Sequence, residues 1–181
     1  IIRDNKILEV TNCDLAVIGA EVVDAKGMYV VAGGVEIHIH GGGGCDFMEG
    51  TEEAFRGAIK AHMKHGTTSI FPTLSSSTVP MIEAAAETCT KLMAEPNSPV
   101  LGLHLEGHYL NMAMAGGQIP ENIKHPDPNE YIPLVEKWNC IKRWDAAPEL
   151  PGAMHFGKYI TSKGILASVA HTQAEYDDIH V

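Results

Sequence analysis

From residue 32 onward, short runs of β-forming residues alternate with amphipathic helical stretches, and this alternation limits the fold more than any other feature of the sequence. Residues 35–40, 67–73, 100–106, 141–147 and 165–170 are strand candidates, 67–73 being the one richest in β-branched and aromatic residues. Helical stretches lie between them. Residues 51–65 open with Thr51 as a cap, carry Glu52 and Glu53 at the positive end of the dipole and stop at Gly66. Their apolar face is Phe55, Ala58, Ile59, His62 and Met63. Residues 78–94 have Pro80 in the first turn and Pro96 just past the end. A third helix opens at Asp127 and Pro128 with the face Tyr131, Leu134, Val135 and Trp138, and a fourth falls between Pro151 and Lys163. Thr172 and Glu175 have the spacing of a capping box, so a further helix is expected to begin there.

Strands alternating with helices form parallel βα units. A closed barrel of eight such units needs about 250 residues. The chain has 181 residues, and its five units are expected to be the N-terminal part of such an α/β barrel, cut after the fifth strand. An open five-stranded sheet is the alternative that length by itself favours. Residues 1–31 differ in character: 15–18 and 28–31 read as short β segments, separated by Gly19 and the turn-like stretch 24–27. The first residue is Ile1 rather than Met, the start expected of a piece of a longer gene product.

Charge narrows the partners. Lys and Arg number 13 against 23 Asp and Glu, a net charge of −10, which disfavours non-specific binding to nucleic acid or an anionic membrane. No apolar run has the length of a membrane span, and the start has neither the basic nor the apolar block of a signal peptide. Cys13, Cys45, Cys89 and Cys140 are scattered, without a zinc-knuckle spacing or a disulfide framework, so a reducing cytoplasm is the expected compartment.

Three signals carry chemistry. His38 and His40 are two apart on the first strand, so they share a face with Cα atoms about 6.6 Å apart. The glycines 41–44 that follow leave the backbone free to clear a site, and they lack the Lys-Ser/Thr of a phosphate loop. Glu106 ends the third strand, with His104 one layer deeper, and His171 ends the fifth. Taken singly, each has an ordinary reading as a surface pair, a solvated loop residue or a cap. Taken together, they end alternate strands. In a barrel, alternate strands place inward side chains in one layer, and the C-terminal rim holds the active site. Three His and one Glu in one ring suit zinc or iron, as one or two ions. Asp145 and Glu149, at the end of the fourth strand, are either supporting carboxylates or loop residues. His62 and His65 follow a helix face and read as structural.

These residues resemble a known family. VAGGVEIHIHG from Val31 to Gly41 resembles the first-strand motif of the amidohydrolase superfamily. GLHLEG ending at Gly107, the stretch 111–118, the stretch 145–149 and AHTQ ending at Gln173 narrow the resemblance to the sugar-phosphate deacetylase branch, which acts on N-acetylglucosamine 6-phosphate. It runs through the whole chain and covers the first half of that family's length. It implies a metal-dependent (β/α)8 barrel beside a small β-sandwich, with residues 1–31 as sandwich strands and 32–181 as the partial barrel. It implies hydrolysis of an acetamide to the free amine and acetate, with a phosphorylated amino sugar as the partner molecule and a homodimer as the assembly many members adopt. By motif position, Glu106 and His171 match metal ligands, His38 and His40 match the pair for a second metal, and Gly117 and Gln118 match the substrate-contacting loop. The family's third primary His, its catalytic Asp and its phosphate contacts are expected beyond Val181, so the 181-residue chain is not expected to turn over by itself. Three positions depart from the pattern: Gly33 for Pro, Glu36 for Asp and His108 for Pro; the last adjoins Glu106, where it is a potential competitor for metal, and is expected to lie outside the ligand shell. The alternatives are another amidohydrolase chemistry, such as a cyclic amidase, and a truncated metal-binding half-barrel without activity.

Overall fold

A computed structural model describes residues 1–4 and 6–179. The chain divides into two compact units, Ile1–Ala32 and Gly33–Val181. In the first unit, Ile2–Arg3 and Lys6–Ile7 pair antiparallel, with Ile2 opposite Ile7. The expected strands at 15–18 and 28–31 do not form. Among the described residues of this unit no ladder partner lies beside them, and Val22, Tyr29 and Val30 are at least 80% exposed. A β segment without a neighbour cannot satisfy its backbone groups as a strand.

The second unit holds five parallel strands: β1 (Gly34–Ile39), β2 (Thr67–Leu74), β3 (Leu103–Leu105), β4 (Ile141–Ala146) and β5 (Leu166–Val169). Their order in the sheet is β1-β2-β3-β4-β5, the order of the sequence. That order decides between the two expectations. A doubly wound open sheet reverses direction at a switch point, whereas a barrel winds one way. The sheet is also curled. The Arg143 guanidinium on β4 donates to the Ile37 carbonyl on β1 at 3.3 Å, across two intervening strands. Three strand spacings in a flat sheet would separate these strands by about 14 Å. The fold is the five-unit N-terminal part of a (β/α)8 barrel.

Four helices cover the outer face: α1 (Glu52–Met63), α2 (Val79–Met93), α3 (Pro128–Lys137) and α4 (Ala153–Ser162). Thr51 caps α1 by accepting from the Ala54 N–H at 3.2 Å, and Asp127 caps α3 through Asn129. Their inward faces bury Phe55, Ile59, Ile82, Leu92, Leu134, Phe156 and Ile160 against Ile70, Leu103, Leu105 and Ile141. Trp144 is fully buried, with its indole N–H on the Gly107 carbonyl at 2.8 Å.

The capping box at Thr172 does not form. The last described helix, α5 (Tyr176–Ile179), starts later, and the Thr172 hydroxyl donates to Glu149 instead. The Thr172 oxygen accepts from the Ala174 N–H at 2.8 Å, a turn bond two residues on in place of the cap's bond to the third residue. The glycines after β1 serve a purpose other than clearance. Gly41–Gly42 pairs with Cys45–Asp46 in a small hairpin turned by Gly43 and Gly44, both with positive φ. A Cβ on Gly41 would come within 2.2 Å of the Cys45 carbonyl oxygen, and His62 packs against Gly42 while bonding the Gly41 carbonyl at 2.9 Å.

Candidate metal centre

β1 delivers His38, and its end delivers His40. Being two apart, both rings reach the inner side, where they meet edge to face with centroids 5.1 Å apart. β3 ends one residue before Glu106, and β5 ends two residues before His171. The four side chains converge. His38 Nε2 lies 3.2 Å from Glu106 Oε1, His40 Nε2 lies 3.1 Å from Glu106 Oε2, and His171 Nε2 lies 3.2 Å from Glu106 Oε1. The two β1 rings bring their Nε2 atoms to 3.2 Å. Donor atoms bound about 2.0 Å from one centre in tetrahedral array are about 3.3 Å apart. The donor atoms of His38, His40 and Glu106 lie within 4.8 Å of one another and their spacings fit a divalent metal, while His171 meets the Glu106 carboxylate from the other side of the ring.

Supporting contacts fix which atoms point inward. The His171 ring is held through Nδ1, which donates to the Met114 carbonyl at 2.7 Å and leaves the Nε2 lone pair toward Glu106. His171 itself has φ +46°, a conformation that costs a non-glycine residue energy and must be held by its surroundings. Glu149 holds it. Its carboxylate accepts from Asn111 Nδ2 at 2.8 Å, the Gln173 N–H at 2.7 Å and the Thr172 hydroxyl at 2.5 Å, while the Asn111 N–H donates to the His171 carbonyl at 3.0 Å. Burial alone would raise the Glu149 carboxyl, but these donors bring it down to about 2. The loops after β3, β4 and β5 thus meet on one side chain.

Gln118 sits where the resemblance puts a substrate contact. Its carbonyl oxygen accepts from the Ser76 N–H at 2.6 Å, so its amide nitrogen faces inward and donates to Glu106 Oε2 at 2.9 Å. Gly117 is exposed, with nothing near the position of a Cβ. Burial would raise the Glu106 carboxyl as well, but bonds from His40 and His171, the charge of His38 and the Gln118 amide bring it to about 2. His40 is raised above its ordinary value, first by its bond to Glu106.

His108 stays out of this ring. It is fully buried, with Nε2 2.5 Å from Glu130 on α3 and its ring packed on Tyr109 and Trp144. Tyr109 and Lys124 bond the same carboxylate. Rather than reach the ring beside Glu106, it ties the loop to α3. A sequence reading from motif neighbours misses this because Glu130 is 22 residues away.

Beneath the rim, His104 and Asp145 are fully buried, with His104 Nε2 2.9 Å from Asp145 Oδ1. Burial pushes His104 below its ordinary value against the opposite pull of Asp145. Arg143 Nε and the Ser168 hydroxyl both donate to Asp145 Oδ1.

The amidohydrolase family model matches residues 29–177, and the chain belongs to the amidohydrolase family, whose members are hydrolases. Within it, the chain is similar to N-acetylglucosamine-6-phosphate deacetylases. The Lysinibacillus sphaericus protein of that name is 26% identical over 98% of this chain and 46% of its own length. The Mycobacterium smegmatis deacetylase, solved as a mutant in complex with N-acetyl-D-glucosamine-6-phosphate, is 29% identical with a TM-score of 0.76 over 82% of this chain and 39% of that one. The Pasteurella multocida deacetylase is 27% identical with a TM-score of 0.77 over the same shares. The chain spans less than half the length of the relatives it matches.

Proposed function

We propose that this chain is the metal-binding portion of an enzyme that hydrolyses the acetamide of N-acetylglucosamine 6-phosphate to glucosamine 6-phosphate and acetate. The observation that carries it is the convergence of His38, His40 and His171 on Glu106 at 3.1–3.2 Å. His38, His40, Glu106 and His171 hold one or two ions, zinc or iron. Such an ion supplies Lewis acidity that polarises an amide carbonyl and lowers the pKa of water. Met114 and Ser75 orient His171 and His40 through their Nδ1 atoms, and Gln118 orients the Glu106 carboxylate, so the donors are set before substrate arrives. Gly117, without a side chain, leaves room beside Gln118 for the sugar.

This reading gives residues 1–31 to a small β-sandwich and the remainder to the partial barrel. The described side chains around the ring include no free carboxylate to take a proton from water: Glu106 is engaged by the three His, and Glu149 by the loops. We therefore assign the proton-transfer group and the phosphate contacts to sequence outside these 181 residues. The test is acetate release from N-acetylglucosamine 6-phosphate by purified, zinc-loaded chain. No turnover is expected from the chain by itself, and turnover on the order of 1 s⁻¹ or faster would contradict the assignment. No activity after adding the remaining sequence of a related deacetylase, with metal bound, would contradict the substrate.

A further inference from the structure

The pair beneath the rim carries two polar atoms the proposed chemistry does not use. His104 and Asp145 are each 0% exposed, and His104 Nε2 and Asp145 Oδ2 have no hydrogen-bond partner. A buried polar atom left unpaired costs about 1–3 kcal/mol, and two in one cluster ask for a common partner.

The hydrogen bonds around His104 define what that partner is. The Thr73 hydroxyl donates to the Phe71 carbonyl at 3.1 Å and accepts from the Ile39 N–H at 2.9 Å. With that proton on the Phe71 carbonyl, the hydroxyl accepts from His104 Nδ1, 3.1 Å away. The Nδ1 atom therefore carries the ring proton, and Nε2 presents a lone pair. That lone pair lies 2.9 Å from Asp145 Oδ1, off the line of a hydrogen bond. A lone pair held against a carboxylate needs a positive species between them. A ligand nitrogen and oxygen on adjacent corners of an octahedron with bonds of about 2.1 Å are about 3.0 Å apart, and there the ion lies off the N–O line. His38 completes the set: its ring packs edge-on against His104 at 4.9 Å, and donor atoms of His38, His104 and Asp145 all lie within 4.8 Å of one another.

We propose that His104, Asp145 and His38 form a separate cation site inside the barrel, below the rim, which takes a borderline transition dication such as zinc, cobalt or iron(II). Two imidazoles and a carboxylate suit that class rather than magnesium or calcium. His38 stands between this site and the rim ring; with both ions bound it bridges them as an imidazolate, one ring nitrogen to each, its N–H proton released to solvent. Arg143 beside Asp145 opposes a second positive charge, so this ion binds more weakly than the rim ion and fills after it.

The test is metal stoichiometry on the purified 181-residue chain, titrated with cobalt(II) and read by absorption and by metal analysis after desalting. Asp145→Asn and His104→Gln are each expected to bind one equivalent fewer than the unsubstituted chain while keeping the tighter equivalent. Two variants are used because either buried substitution could impair folding, which circular dichroism reports. Glu106→Gln is expected to lose the tighter ion and keep the weaker one. Equal stoichiometry in the unsubstituted chain and in folded Asp145→Asn or His104→Gln overturns the proposal, as does loss of every ion in folded Glu106→Gln. If Glu106→Gln loses nothing while Asp145→Asn loses one equivalent, the rim reading fails and this site stands.

Discussion

His171 shows how much a single side chain in a metal ring depends on its neighbours. Its strained backbone, its ring orientation and its place over Glu106 rest on Met114, Asn111 and above all Glu149. Groups that orient metal ligands are worth about 10–100-fold in metal affinity. Glu149→Ala is therefore expected to weaken zinc binding by that factor, measured by competition with a chelator. Glu149→Gln, which keeps an acceptor for the Gln173 N–H, is expected to recover part of it. Equal affinity in all three proteins would remove Glu149 from this role. Glu106→Ala should cost at least about 100-fold in the same assay, since it removes a donor rather than its support. His38, His40, Glu106 and His171 were legible in the sequence because strand periodicity and strand ends fix where such residues point. Glu149 was legible only as one of two open readings, a supporting carboxylate or a loop residue, and Ser76 and Met114 were not legible as supports. Each bonds a residue 23 to 57 positions away, and nothing local marks such a partner.

At the level of the elements, the long stretch between β3 and α3 is tied at both ends. The near end is pinned by His108, which reaches Glu130 in the first turn of α3, while Lys124 and Tyr109 reach the same carboxylate. Burial would raise the Glu130 carboxyl, but these partners bring it to about 2. A carboxyl with a depressed folded pKa contributes stability that is fully present above its unfolded value near 4.3 and is lost as pH falls toward 2. Glu130 is partly solvated, so a contribution of about 2 kcal/mol is the right order. Urea melts from pH 6 to pH 2.5 should show Glu130→Gln to be less stable at pH 6, with the gap to the unsubstituted chain closing in acid. A gap independent of pH would contradict the charged contact. The strands and four covering helices were legible from periodicity and caps such as Thr51. The capping box at Thr172 was a misreading because its oxygen accepts from Ala174, two residues on, and not from the third residue, and the segments 15–18 and 28–31 are not strands because a strand exists only beside a partner.

At the scale of the second unit, the described parallel sheet ends on β1 and β5, each paired on one side only. β5 exposes Leu166 and Val169, and β1 exposes Val35 and Ile37, each between 48% and 62%. Unpaired, apolar edges of this kind template association. Sedimentation velocity is expected to show mass rising with concentration, reduced by Leu166→Lys together with Val169→Lys. A monomer at every concentration would show that these edges are inert. The sequential strand order and the Arg143 tie to β1 make the curl, and the curl brings residues 38 and 171 to one carboxylate. That convergence is the centre of the account, and an ion located in crystals of the zinc-loaded chain tests it most directly. Anomalous scattering at the zinc edge should place an ion about 2.0–2.2 Å from donor atoms of Glu106 and His171, with His38 and His40 closing the ring. Zinc bound elsewhere, with His171 turned away from Glu106, would contradict it.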